Sequence, residues 1–387
     1  MNRTMTTVAR EGVEKTPRRL SKAAAVASYY GFVPQDSLRV TKEDRERARA
    51  LLREYGSGVH HPFAEEKIAL LRRYEEEKWE RLHQPVMLYR EERSPNKVTV
   101  HLDLLGSGHS IVEALLIKTA TEALRETGAG NFVLSINSLG DRESFGRFAR
   151  EITLFYRKKA DALYPLCRST LKHNPLAFLA CAHDTCQTIR QEAPKPIGFL
   201  SDSARIHFKE VLEYLETLSL PYDLREYLLG PAGISSHTVF EIHNEKRELI
   251  AAGFRYNHLA RRLGLRREIP ALCAALFFPR PLPRAARGAG GVPRTYFIQL
   301  GNAAKQRALL LLEELRRAGI PIAQSIASDK FSAQMAHAET LDISYFIIVG
   351  HKEAMEGTAL VRDRERHFQE TIPMGKLSAF LKHLLAA

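Results

Sequence analysis

A chain of 387 residues with 44% hydrophobic and 26% charged side chains is long enough for two or three domains, each able to bury a core. Lys and Arg outnumber Asp and Glu by 57 to 45, a formal net charge of +12, which favours polyanionic partners through a salt-sensitive attraction. No apolar run reaches membrane-spanning length, and four cysteines are too few to staple so long a chain, so a reduced cytoplasmic protein is expected.

Residues 1–20 read as a basic tail, because MNRTMTTVAREGVEKTPRRL has no apolar segment behind its charges. SKAAAVASYYGF (21–32) predicts a helix ending at Gly31, and 41–82 a charge-dense helical stretch interrupted at GSGVHHPF. From Pro85 the hydrophobic period becomes two: VMLYREER and KVTVHLDLL alternate around an SPN turn, which predicts a hairpin. Ser110 and Glu113 have the spacing of a capping box and open a helix that runs to about Gly128. FVLSIN (132–137) then reads as a strand and Leu139–Lys158 as a helix.

From Tyr164 to Asp223 the pattern is almost wholly helical, with breaks at Pro175, Pro194 and Pro196, which predicts an all-α insertion. Strand patterns resume at HTVFEI (237–242) and LIAAGFRY (249–256); IPALCAALFF (269–278) suits either a buried strand or a buried helix. PRPLPRAARGAGGVPR (279–294) has no periodicity and reads as a basic linker. Beyond it, TYFIQL, AAKQRALLLLEELRRAG, PIAQSI, ISYFIIVG and KLSAFLKHLL alternate strand and helix as a separate small α/β domain. There is no internal repeat and no Walker-type or dinucleotide-binding glycine loop.

INSLGDRES (136–144), LCRSTLKHNPLAFLACAHDTCQ (166–187), HTVFEI and KFSAQMAHAE…DISYFIIVGHKEAMEGTALVRD together resemble a histidyl-tRNA synthetase, collinearly from about residue 85 to the C-terminus. The resemblance implies an α+β fold: a class II synthetase-type antiparallel sheet with a helical insertion that approaches the tRNA acceptor arm, plus a C-terminal α/β anticodon-binding domain, in a homodimer. It divides the chain into the tail, a catalytic-type core at 21–163 and 224–280, the insertion at 164–223, a linker at 281–294 and the last domain at 295–387. YYGFVP (29–34) stands as a remnant of the dimer-forming first class II motif.

By the same resemblance, LYREER (88–93) places Arg90 at the α-phosphate, Glu92 at the adenine and Asp103 on the return strand, while Arg280 stands at the γ-phosphate position. Phe277 and Phe278 replace a small residue and its apolar neighbour there, so that the phenylalanine at the small position should fill the pocket, and Pro279 replaces a glutamate and removes a strand donor, so the local pairing should differ from that of an active enzyme. AAGFRYNHL (251–259) aligns with the glycine-rich histidine-binding strand, which makes Arg255 and Tyr256 amino-acid-pocket candidates. Gly230 occupies the position of the catalytic arginine, in LLGPAGISSHTVFEI, and Ile234 and Ser235 replace a pair of tyrosines; no confident catalytic residue remains.

Cys167, His173, Cys181, His183 and Cys186 offer zinc-type ligands, but their spacing is not a pair of CxxC units, and the resemblance implies cysteines that serve as packing residues, with no metal. ATP and Mg2+ are the cofactors of a surviving nucleotide pocket; no other is expected. Arg284, Arg287 and Arg294 are candidates for phosphate contacts along tRNA or another structured RNA. The expected function is therefore RNA binding without aminoacylation. An active histidine–tRNA ligase with a divergent pocket, and a regulatory or accessory subunit built on the same fold, are the alternatives.

Overall fold

The computed structural model describes residues 20–35, 38–54, 62–171, 174–181, 183–231, 233–286, 292–341, 343–366 and 368–386. The basic tail, Arg287 and His173 lie outside the described residues.

The alternating segments form the hairpin β2 (Val86–Arg93) and β3 (Lys97–Leu105), paired from Val86↔Leu105 to Arg93↔Val98. IPALCAALFF resolves as a strand, β8 (Ala271–Pro279), and it pairs with β3 in unbroken register through Lys97↔Pro279. Pro279 closes the strand at its exposed end, where a missing donor costs little. With β1 (Val33–Pro34), β4 (Phe132–Ser138), β5 (Tyr222–Leu224), β6 (Ser236–Asn244) and β7 (Leu249–Arg255), the sheet runs β1-β2-β3-β8-β7-β6-β4-β5. Only the edge pairs β1/β2 and β4/β5 are parallel.

One face of this sheet is covered by α1 (Lys22–Tyr29) and α4 (Ile111–Glu126), with α8 (Asp202–Thr217) packed on α4. Ser21 caps α1, its Oγ accepting from the Ala24 N–H at 3.0 Å. The capping box expected at Ser110 and Glu113 does not form. Ser110 has helical rather than extended backbone and makes no cap bond; its hydroxyl donates to Glu210 at 2.6 Å, and Glu113 turns into the core. The stretch 164–223 also departs from a single all-α insertion. α6 (Pro165–Leu171) and α7 (Asp184–Gln191) pack with α5 (Arg142–Lys158) around a small cluster of their own, whereas α8 joins the main core and β5 extends the sheet beside β4. Phe208, Val211 and Leu215 place an apolar stripe on α8 that joins the core around α4.

The start of the expected linker is docked. Lys22 donates to the Pro283 carbonyl at 2.8 Å, Ala285 donates to the Leu20 carbonyl at 2.9 Å, and Ser21 bridges Arg284. The last domain is a five-stranded sheet in the order β10-β9-β11-β12-β13. Its strands are β9 (Thr295–Gln299), β10 (Ile322–Gln324), β11 (Tyr345–Val349), β12 (Thr358–Asp363) and β13 (Gln369–Pro373). Phe297 faces α10 (Asn302–Arg317) and α13 (Met374–Ala386), while Tyr296 and Ile298 face α11 (Phe331–Thr340), the alternation of a sheet covered on both sides. α12 (His351–Glu356) packs between α10 and β12.

Candidate functional site

Period-two alternation sends the central strands' side chains to two faces. Away from α4, Leu88, Arg90 and Glu92 of β2 stand opposite Asp103, His101 and Thr99 of β3, which oppose Cys273, Ala275 and Phe277 of β8; Phe254 and Ala252 of β7 continue the row. Arg90, Glu92 and Asp103 therefore converge on one face, where the resemblance puts a nucleotide.

That face is already covered. α3 (Pro62–Glu76) lies on it, with Ala64, Ile68, Leu70 and Leu71 packed among Leu88, Phe254, Tyr256 and Cys273. From the same helix Lys67 Nζ donates to Asp103 Oδ1 at 2.5 Å, and both side chains are buried. Burial opposes the Lys67 charge, but Asp103, Cys273 and Glu66 hold its pKa above the usual lysine value. Glu66 meets the Arg90 guanidinium at 2.8 Å, and Glu92 lies 3.7 Å from the same group. Burial raises the Glu66 pKa against the pull of Lys67 and Arg90. Burial, together with Lys67 and Arg90, drives His101 down to about 2, so the imidazole is neutral and its Nε2–H donates to Glu92 at 3.1 Å. Arg90 and Lys67 are thus paired with carboxylates of this chain. The residues present do not fit a bound nucleotide in this arrangement.

Arg280 does not join them: it is exposed beyond β8 and donates to the Ser94 carbonyl at 2.9 Å, at the hairpin turn. Phe277 lies on the nucleotide-type face, half-buried, with Lys97 Nζ 5.8 Å from its ring centroid. Phe278 points the other way into the core, because adjacent strand residues alternate.

Arg255, an amino-acid-pocket candidate, also points away from that face. It is fully buried on the α4 side, where Nε and Nη2 bind Glu113 at 2.8 and 2.5 Å and Nη1 donates to the Ser107 carbonyl at 3.0 Å. Nη1 also reaches Asn257 Oδ1 at 3.4 Å, so four of the five guanidinium donors are committed within the chain. His207 adds a 2.6 Å contact to Glu113; against burial, Arg255 and His207 hold that carboxyl at about 2. Gly253, beside it, is required by packing: a Cβ there would sit 2.3 Å from the Phe240 ring. Tyr256 alternates back under α3, fully buried in the same cluster as Phe254, and its hydroxyl has no hydrogen-bond partner among the described residues.

Gly230 has φ +60, and a Cβ there would lie 2.7 Å from Ser235 Oγ and 3.2 Å from Val239 Cγ1. The loop has closed around the small residue: the Ser235 hydroxyl donates to the Pro231 carbonyl at 3.0 Å, and Ile234 is buried against the cluster under α3. Of the RNA candidates, Arg284 is exposed in the bridge to Ser21, and Arg294 is exposed with its guanidinium 5.9 Å from the Tyr345 ring centroid and donating to the Leu385 carbonyl at 3.2 Å.

Sequence reasoning missed Glu66, Lys67 and His101. The signal was present for Lys67: Ala64, Lys67, Ile68 and Leu71 fall on one helical face, so a lysine sits in an apolar stripe and needs a buried counter-charge.

A mostly antiparallel sheet bearing this hairpin, with an α/β domain behind it, is the architecture of a class II aminoacyl-tRNA synthetase. Residues 295–384 match the family model described as an anticodon binding domain. The histidine–tRNA ligase of Geobacillus thermodenitrificans is 30% identical over 292 residues, covering 72% of this chain and 68% of the relative. That of Geobacillus kaustophilus is likewise 30% identical over 292 residues, with the same coverage of 72% and 68%. The crystal structure of the apo histidyl-tRNA synthetase of S. aureus superposes with a TM-score of 0.50 at 19% identity, covering 93% of each chain, a likeness of fold. The chain belongs to the histidine–tRNA ligase family.

Proposed function

We propose that this protein binds tRNA or another structured RNA through its C-terminal domain and does not form histidyl-adenylate. The observation that carries the reading is the internal neutralisation of the nucleotide-type face. Activation brings a carboxylate against an α-phosphate, and the site must supply free positive charge to both. Here Arg90 faces Glu66 and Glu92, Lys67 is spent on Asp103, and Gly230 offers no charge where the family's arginine belongs. Arg280 is far along the hairpin, held by the Ser94 carbonyl. Neither ATP nor Mg2+ has a prepared place among these groups.

RNA binding is supported by the match of residues 295–384 and by a net charge of +12. In that domain unpaired bases would stack and hydrogen-bond while basic side chains hold phosphates. A homodimer of cytoplasmic location fits the family. No helix among the described residues is long and apolar enough to cross a membrane.

The experiment is histidine-dependent exchange of pyrophosphate into ATP, run beside filter binding of tRNA at moderate salt. No exchange, with tRNA preferred over a random duplex, is the expected result; exchange above background removes the catalytic half of the reading, and lack of preference removes the RNA half. The second reading, an active ligase, is favoured by the 30% identity to proteins named histidine–tRNA ligase and by the retained Arg90 and Arg280. A regulatory or accessory subunit would show instead as a stable protein partner in pull-down with no tRNA preference.

A further inference from the structure

The insertion brings chemistry-bearing side chains together away from the site described above. Cys167 comes from α6, Cys181 ends the 3-10 turn Pro175–Ala180, His183 precedes α7 and Cys186 lies in its first turn. Cys167 Sγ and Cys181 Sγ are 3.7 Å apart, and His183 Nδ1 lies 3.4 Å from the first and 3.2 Å from the second. A tetrahedral zinc with Zn–S near 2.3 Å and Zn–N near 2.0–2.1 Å has S···S edges of about 3.8 Å and S···N edges of about 3.5 Å. The three donors already hold close to that spacing.

Cys186 is fully buried in the same side-chain cluster as Cys167 and Cys181. The His183 ring stacks on Tyr164, centroids 4.1 Å apart and planes 15° from parallel, which fixes the direction of Nδ1. All of these cysteines are free thiols.

We propose that Cys167, Cys181 and His183 bind one zinc ion that fixes the fold of the insertion. Packing does not explain the cluster. A cysteine kept for packing is an apolar filler and belongs inside, as Cys273 does, yet Cys167 and Cys181 are half-buried and His183 is exposed. The local need for a staple is clear, since Phe148, Tyr156, Phe178 and Leu179 form only a small cluster, separate from the main core. The three ligands come from three separate segments of the insertion, so one ion would tie them together.

The test uses the full chain purified under reducing conditions without chelators. After dialysis against metal-free buffer, elemental analysis is expected to find about one zinc per chain, and Co2+ put in its place should give the thiolate-to-metal charge-transfer band of a tetrahedral thiolate site. Cys181→Ser and His183→Ala should each lower zinc affinity at least about tenfold in competition with a chromogenic chelator, while Cys273→Ala leaves zinc content unchanged. The wild-type cobalt spectrum needs no variant and so does not depend on how well any variant folds. Less than about a tenth of an equivalent of zinc together with no charge-transfer band overturns the site. So does a Cys167–Cys181 disulfide whose reduction is followed by no metal uptake.

Discussion

Arg255 and Glu113 show what one misplaced side chain means for function. A buried guanidinium with a bidentate carboxylate is satisfied, and breaking the pair leaves the remaining charge stranded in the core. Glu113→Ala is expected to cost about 3–5 kcal/mol in denaturant unfolding, whereas the double replacement Glu113→Leu with Arg255→Met should cost clearly less than the sum of the single changes. Additive effects in that cycle would show that the pair does not act as a unit. Gly230 makes a second prediction at this scale. With φ +60 and a Cβ contact of 2.7 Å, Gly230→Ala should destabilise by about 1 kcal/mol or more, read as a lower melting temperature. Gly230→Arg should give no pyrophosphate exchange, because the Ser235 turn occupies the space and Arg90 stays paired with Glu66.

At the scale of elements, the decisive arrangement is α3 laid across the sheet. One helical face carries Ala64, Lys67, Ile68 and Leu71, so burying the apolar residues also buries the lysine, and Asp103 is the counter-charge that makes this tolerable. Lys67→Met is expected to destabilise by about 3–5 kcal/mol by leaving Asp103 buried and unpaired, measured by chemical denaturation. The same covering predicts that ATP with Mg2+ does not protect the fold. A ligand at 100 times its Kd adds about 2.7 kcal/mol, a shift of several degrees that thermal melting would register. A melting temperature unmoved by millimolar ATP is the expected outcome, and a clear rise would mean that α3 yields to the nucleotide.

Across the whole molecule, the last domain is joined to the core by buried polar contacts. Tyr30 donates to Glu313 at 2.5 Å, Arg316 reaches Glu126 at 3.1 Å and Glu122 at 3.3 Å, and His83 stacks on His337 with centroids 3.6 Å apart while touching Ser325 at 2.6 Å. Burial, with His83 nearby, drives His337 down to about 3; burial lowers His83 as well. Burial and neighbouring cations likewise take His101 to about 2 and His237 to about 3. The folded state keeps these rings neutral, while the unfolded chain protonates them near pH 6.5. Stability is therefore full above that pH and is lost as pH falls from about 6.5 toward 3, by up to about 1.4 kcal/mol per pH unit for each ring. Glu113, held at about 2, adds to the loss only below its ordinary range near 4.5, with the same sign. Denaturant midpoints at pH 7.5 and pH 5 should differ accordingly, and equal midpoints would contradict the buried neutral state.

The local periods and turn residues of the chain determined a good deal unaided. Alternation in VMLYREER and KVTVHLDLL gives the hairpin, HTVFEI gives β6, and strand-helix alternation after residue 294 gives the last domain, because each pattern reports which side of a local element meets the core. Gly230 was equally legible, since the resemblance alone sets it where an arginine is expected. Tertiary structure alone decided the direction of Arg255, the placing of Glu66 and Lys67 on Arg90 and Asp103, and the meeting of Cys167, Cys181 and His183. These contacts join elements far apart in the chain. Their geometry follows from how a buried helix and a twisted sheet close against each other, and a one-dimensional period records only that a face is buried, not which residues it will meet.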